Sequence, residues 1–278
     1  MSGHSKWSTI KHKKAMTDAK KANIFTKLGK LIAIAAKEGG NPNTNFKLKM
    51  AIDQARSANM PNANVERAIK KGTGELKGEA EIQEVIYEAY LPRRLASLNR
   101  GEQAGGSGNV AMLIKTATDN KNRTVGELKN ILTKAGGKLV SSGSVRFMFK
   151  QVGNISMPVD NTDNLDEIEM RAIDAGAEDT IYPHTNGSAT NSQIDGNSSN
   201  IGVGVNSDSR LTIYTKTEDL QIVKENLEKM GLKIENAMLV YEPIQKIELD
   251  ESAKLDYEKL IHILDEQDDV QEIYDNIV

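Results

Sequence analysis

Cysteine is absent from the 278-residue chain. That excludes a disulfide framework, a thiolate metal site and a cysteine nucleophile, and it suits a reducing compartment. Long apolar runs are missing too. The longest, Leu28 to Ala36, is broken by Gly29 and Lys30, and crossing a bilayer takes roughly 18 to 20 residues. Met1 to Trp7 holds no apolar segment of the secretory kind. The expectation is a cytoplasmic chain with no membrane contact. Histidine is scarce, with His4, His12, His184 and His262 only, and none has metal-ligand spacing. His4 and His12 sit among lysines, which repel a metal cation. His262 lies beside the apolar stripe of a helix and reads as structural. Gly101 to Gly108 lacks the Lys-Ser/Thr of a P-loop, and Gly72-Thr73-Gly74 lacks the last glycine of a dinucleotide turn. The acidic run Asp265-Glu266-Gln267-Asp268-Asp269 lacks EF-hand spacing and reads as a solvated face. No nucleophile–base pair stands out. The reading is a non-enzyme that needs no cofactor and no metal.

What the chain does have is a charge split. Residues 1–78 carry 14 Lys and 2 Arg against five acids, about +11, while the whole chain is at −3, so the remainder is at about −14. A basic block on an acidic body points to a polyanion at one end. Lys acts on phosphate mainly as a point charge, whereas reading base edges favours Arg, Asn and Gln. The block therefore suits a nucleic-acid backbone better than a base sequence.

Periodicity divides the chain. Phe25, Leu28, Leu31, Ile32 and Ala35 mark one helix, with Lys20, Lys27, Lys30 and Lys37 on its other side and Lys21 breaking the pattern. Leu48, Ala51, Ile52 and Ala55 mark a second; Val65, Ala68 and Ile69 mark a third. After Gly78 come strands at 85–90 and 110–116, a helix at 124–135, and an alternating stretch at 144–150 that reads as a half-buried strand with Val145, Phe147 and Phe149 on one face. Residues 151–243 read β-α-β-β-α-β, the ferredoxin-like split unit. A strand at 246–249, a helix and a strand at 270–274 follow. The expected fold class is α+β multidomain: an N-terminal three-helix domain (1–78), then two ferredoxin-like α+β domains, one (151–243) inserted in the other (79–150 plus 244–278). The stretches 91–107 and 183–208 fit no core; the second reads as a disordered loop.

One stretch combines the only Trp with four lysines: Lys6, Trp7, Lys11, Lys13 and Lys14, between Ser5 and the first helix. Trp7 can stack on a base or ribose while the ammonium groups hold phosphates. It can also pack against the bundle with the lysines simply exposed. The lack of other large apolar groups nearby favours stacking.

The opening G-H-S-K-W-x-x-I-K-H-x-K, Gly3 to Lys14, closely resembles the YebC/PmpR family, which includes the mitochondrial translational activator of cytochrome oxidase subunit one. Further matches are Asp18 to Lys21, Ile24 to Leu28, Ala51 to Arg56, Asn59 to Pro61, Glu66 to Gly74, Thr118 to Thr124, Gly143 to Val145 and Asp268 to Gln271. The resemblance implies a helical N-terminal domain and two α+β domains around a cleft. It also implies a regulator of gene expression, labelled in some members a DNA-binding transcriptional regulator and in others a ribosome-associated translation factor that relieves stalling. The residues expected to touch nucleic acid, either ribosomal RNA or duplex DNA, are Gly3, His4, Ser5, Lys6, Trp7, Lys11, His12, Lys13, Lys14, Lys20, Lys21, Lys27, Lys30, Arg67, Lys70 and Lys71. With few Arg side chains for base contacts, the ribosome is the preferred partner. The sequence departs from the family pattern at 91–106, which adds Arg93, Arg94 and Arg100, and in the long stretch near 183–208.

Overall fold

The structure is a computed structural model and describes residues 18–76, 78–92, 109–159, 164–181 and 210–278. Its elements fall in two compact units, one reaching to Lys150 and resuming at Tyr241–Val278, the other Gln151–Val240. The architecture is α+β, with a helical N-terminal region and two four-stranded sheets.

The first unit opens with α1 (Asp18–Ala36), α2 (Phe46–Ser57) and α3 (Asn62–Gly72). Leu28, Ile32, Ala35 and Ala36 of α1 pack with Leu48, Ala51, Ile52 and Ala55 of α2 and with Val65 and Ala68 of α3. Buried Asn45 is the joint between the first two helices. Its carboxamide caps α2 by accepting from Leu48 N at 3.0 Å and donates to the carbonyls of Ala35 and Gly39 at 2.7 and 2.8 Å. Gly72 lets α3 end against α1, because a Cβ there would lie 2.2 Å from the Ala33 carbonyl oxygen.

The first sheet has the order β3-β1-β2-β8, from β1 (Gln83–Leu91), β2 (Val110–Thr118), β3 (Lys138–Val140) and β8 (Val270–Asp275). Its neighbouring strands pair antiparallel, with Gln83 opposite Thr118 and Leu91 opposite Val110. Helices α4 (Lys121–Lys134) and α7 (Glu251–Asp265) cover one face through Leu128, Leu132, Tyr257, Leu260, Ile261 and Leu264. On the other face Ala33 and Ile34 of α1 pack with Ile82 and Ala117. β2 is thus covered on both sides, which explains its nearly continuous apolar run.

The second unit reads β4 (Phe149–Pro158), α5 (Leu165–Ala175), β5 (Asp179–Ile181), β6 (Arg210–Thr215), α6 (Leu220–Lys229) and β7 (Asn236–Pro243), in the order β5-β6-β4-β7. This is the ferredoxin-like order. The first sheet has the same spatial order, but its hairpin strand β1 comes from ahead of the β2–α4–β3 crossover instead of between the two helices.

Three expectations need correction, and one strand adds to them. Residues 144–148 are not a strand: they form a turn and a 3-10 helix (Arg146–Met148), and the strand starts at Phe149. The cause is Glu88, whose buried carboxylate accepts from the backbone N–H groups of Gly143, Val145 and Arg146 and bends the chain there. The strand expected at 246–249 is a single parallel bridge between Ile247 and Ile277, since Asp250 at once caps α7. The short β3 went unforeseen because it has three residues; Gly137 admits it, as a Cβ would meet Leu91 at 2.5 Å. His262 is not a packing residue but is exposed beside Glu266 at 3.4 Å. The stretches 93–108 and 182–209 lie outside the described residues.

Candidate nucleic-acid interface

The bundle is basic, and its cations divide by direction. Those of α1 that point away from α2 and α3 meet the C-terminal end of α7 and the turn into β8. Lys27 is 3 % exposed. Its Nζ lies 2.9 Å from Asp265 Oδ1 and also donates to the Asp265 carbonyl. Lys30 Nζ donates to Asp269 Oδ1 at 2.6 Å and to the Asp268 carbonyl at 2.8 Å. Asn23 Nδ2 donates to the Glu266 carbonyl at 3.0 Å. A helix C-terminus offers carbonyls without intrahelical partners and a negative dipole end, so cations and amides from α1 are its natural complement.

Asp269 is the centre of this junction. It is 3 % exposed, and besides Lys30 it accepts from Arg123 at 3.0 Å, Thr124 Oγ1 at 2.7 Å and Thr118 Oγ1 at 3.1 Å. Burial opposes its ionisation, but hydrogen bonds from Lys30, Thr124 and Arg123 outweigh that and hold the carboxyl at about 2. Glu266 and Asp268 of the acidic run are exposed, but Asp265 and Asp269 are turned inward, against the expectation of a wholly solvated face. The run is the socket for α1. Among the described residues no group of His, Asp and Glu could hold a metal ion.

The outward cations are different. Lys21 at the start of α1, Lys47, Lys49 and Arg56 on α2, and Arg67 and Lys70 on α3 are exposed. Lys47 reaches Glu38 at 2.6 Å and Arg56 reaches Asp53 at 3.7 Å, pairs that solvent weakens. Arg67 and Lys71 share Glu79 at 3.1 and 2.8 Å and hold its carboxyl below the usual range. Of the residues expected to contact nucleic acid, Lys21, Arg67 and Lys70 are exposed on the bundle and Lys71 is half-buried against Glu79. Lys20 lies in the first turn of α1. Lys27 and Lys30 are spent inside the molecule, because the face opposite the α1 stripe is covered by the α7–β8 turn. Gly3, His4, Ser5, Lys6, Trp7, Lys11, His12, Lys13 and Lys14 lie outside the described residues. Sequence reasoning passed over Lys47, Lys49 and Arg56. The signal was there: Lys47 and Lys49 flank buried Leu48, and Arg56 follows buried Ala55, so all three leave the helix outward.

Known proteins place this geometry. The model of the TACO1/YebC N-terminal domain matches residues 5–75, and that of the TACO1/YebC second and third domain matches 103–277. The chain belongs to the TACO1/YebC family. A probable transcriptional regulatory protein of Thermoanaerobacter pseudethanolicus is 45 % identical over 100 % of this chain and 97 % of its own. One from Aquifex aeolicus is 41 % identical, over 99 % and 95 %. A conserved hypothetical protein of Aquifex aeolicus, solved by crystallography, superposes with a TM-score of 0.74 at 38 % identity, covering 97 % of this chain and 95 % of that one. The chain thus shares its architecture with that protein over nearly the whole length of both. No helix among the described residues is long and apolar enough to cross a membrane.

Proposed function

We propose that this TACO1/YebC protein is a non-catalytic, nucleic-acid-binding regulator of gene expression that grips phosphates through its helical N-terminal domain. The observation that carries the reading is the direction of the charges. The cations of α1 that face the acidic body are neutralised, while Lys21, Lys47, Lys49, Arg56, Arg67 and Lys70 point outward from a block of about +11. In this reading Lys6, Lys11, Lys13 and Lys14 take further phosphates, with Trp7 stacking on a base or ribose. In this reading the three domains are 1–78, 79–150 with 244–278, and the inserted 151–243.

The target is RNA on the ribosome, in the cytoplasm. The Lys bias supports it, because a folded RNA surface is recognised by shape and phosphate contacts. Duplex DNA is the second reading, favoured by the names of the bacterial relatives, which are called probable transcriptional regulatory proteins. Sedimentation of a lysate separates the two. Co-migration with ribosomes, reversed by high salt, supports the RNA reading. Protein that stays free of ribosomes and footprints a defined promoter replaces it with the DNA reading. Metal-dependent turnover of either nucleic acid contradicts the non-catalytic assignment.

A further inference from the structure

Between Glu127 and Asp160 the sequence holds no acid, yet it carries Lys129, Lys134, Lys138, Arg146 and Lys150. This basic stretch lies inside a body at about −14, remote in sequence from the helical block. At its centre Phe147 is 71 % exposed. An exposed phenyl ring is ordinary on a loose loop, but this turn is pinned. The Glu88 carboxylate accepts from Gly143 N at 2.6 Å, Val145 N at 2.5 Å and Arg146 N at 3.1 Å. Tyr90 Oη donates to the Ser144 carbonyl at 2.9 Å. Arg146 donates to Tyr241 Oη at 3.0 Å and lies over that ring, 5.5 Å from its centre. Ile244, also exposed, is tied beside the turn by its N–H to the Met148 carbonyl at 2.9 Å. A buried carboxylate thus holds a turn whose outward product is an aromatic ring, with exposed Ile244 tied beside the turn and the exposed cations Arg146, Lys150 and Lys246 close in sequence to Phe147 and Ile244.

We propose that Phe147 is a stacking platform for an unpaired nucleobase, with the surrounding cations taking the adjoining phosphates. Aromatic rings among cations bind single strands in this way, with little sequence preference. A protein partner would also cover an exposed Phe, but the acid-free basic stretch favours a polyanion. The inference rests on the nucleic-acid reading above and adds a second contact outside the helical domain.

Trp7 is the only tryptophan, so the full chain with Trp7→Phe and Phe147→Trp carries one indole, at this turn; the Trp7→Phe chain is the binding reference. A short unstructured RNA should quench the indole saturably, and the same RNA annealed to its complement should not. Phe147→Leu in the natural chain should weaken single-strand binding roughly tenfold and leave duplex binding and melting temperature unchanged. Single-strand binding with a silent indole and an unaffected Leu variant overturns the inference. So does a melting temperature lowered by Phe147→Leu, which makes the ring a packing residue. So does an indole that shifts to shorter wavelength with protein concentration alone, which marks burial against a second copy. Absence of binding to any RNA or DNA sinks the broader reading instead.

Discussion

Lys30 in the first helix and Asp269 near the end of the chain, 239 residues apart, meet at 2.6 Å, the carboxylate buried and the ammonium partly so. This pair and its neighbour Lys27–Asp265 fasten the helical region to the first sheet. The bundle therefore belongs to the same compact unit as that sheet, and its orientation there is set by charge as well as by Ala33, Ile34, Ile82 and Ala117.

Removing the carboxylate should cost far more than removing one of its partners. Asp269→Ala removes at once the acceptor that Lys30, Arg123 and two threonine hydroxyls share, and breaking a buried pair from one side costs about 3–5 kcal/mol. Lys30→Met should cost less, since Arg123, Thr118 and Thr124 still satisfy the acid. Urea unfolding of the two single variants and of the double variant, combined in a double-mutant cycle, would measure it. Equal losses for the two single variants would show that Asp269 serves Lys30 alone.

The same site sets an acid limit. The folded Asp269 carboxyl is held at about 2, below the ordinary value of about 3.9. Its contribution is therefore complete above the ordinary value and is lost as pH falls through the folded one. Stability measured from pH 5 downward should fall across that window, and Asp269→Asn, already weakened at neutral pH, should fall less. A variant with an unchanged acid slope would place the titration elsewhere.

Gly72→Ala tests the fit of α3 on α1. The new Cβ would sit 2.2 Å from the Ala33 carbonyl and 2.6 Å from the Ala36 Cβ, so the helices must part. Overpacking of this kind costs typically 1–3 kcal/mol. Amide exchange should quicken in α1 and α3 and stay unchanged in the second unit. Uniform protection across the chain would mean that the bundle gives way at no cost.

Much of the fold was legible because its signals were local. The stripes Leu48-Ala51-Ile52-Ala55 and Val65-Ala68-Ile69 specify helices with one buried face, and 151–243 shows its β-α-β-β-α-β order in period alone. The errors at 144–148 and at Lys27 and Lys30 share a cause, contact with residues far along the chain. The turn at 144–148 obeys Glu88, some 55 residues earlier. Lys27 and Lys30 read as nucleic-acid contacts because nothing near them in sequence names Asp265 and Asp269. One local hint existed: Leu31 to Ala36 is apolar on all sides, the mark of a helix covered all round. The basic composition of the helical block is plain in the sequence, but only the structure separates the cations that face outward from those that hold the molecule together.

That separation gives the most direct test of the phosphate-binding claim. Binding of structured RNA should be followed across a salt series for the natural chain, for Lys21, Lys47, Lys49 and Lys70 all changed to Ala, and for Lys27→Met with Lys30→Met. The natural chain should lose affinity steeply with salt, at a slope set by the phosphates it contacts. The outward variant should show a clearly shallower slope at unchanged melting temperature, and the inward variant a lower melting temperature with the slope retained while folded. A salt slope that is flat for the natural chain, or identical in the outward variant, would contradict the assignment of the helical domain as the phosphate-binding surface.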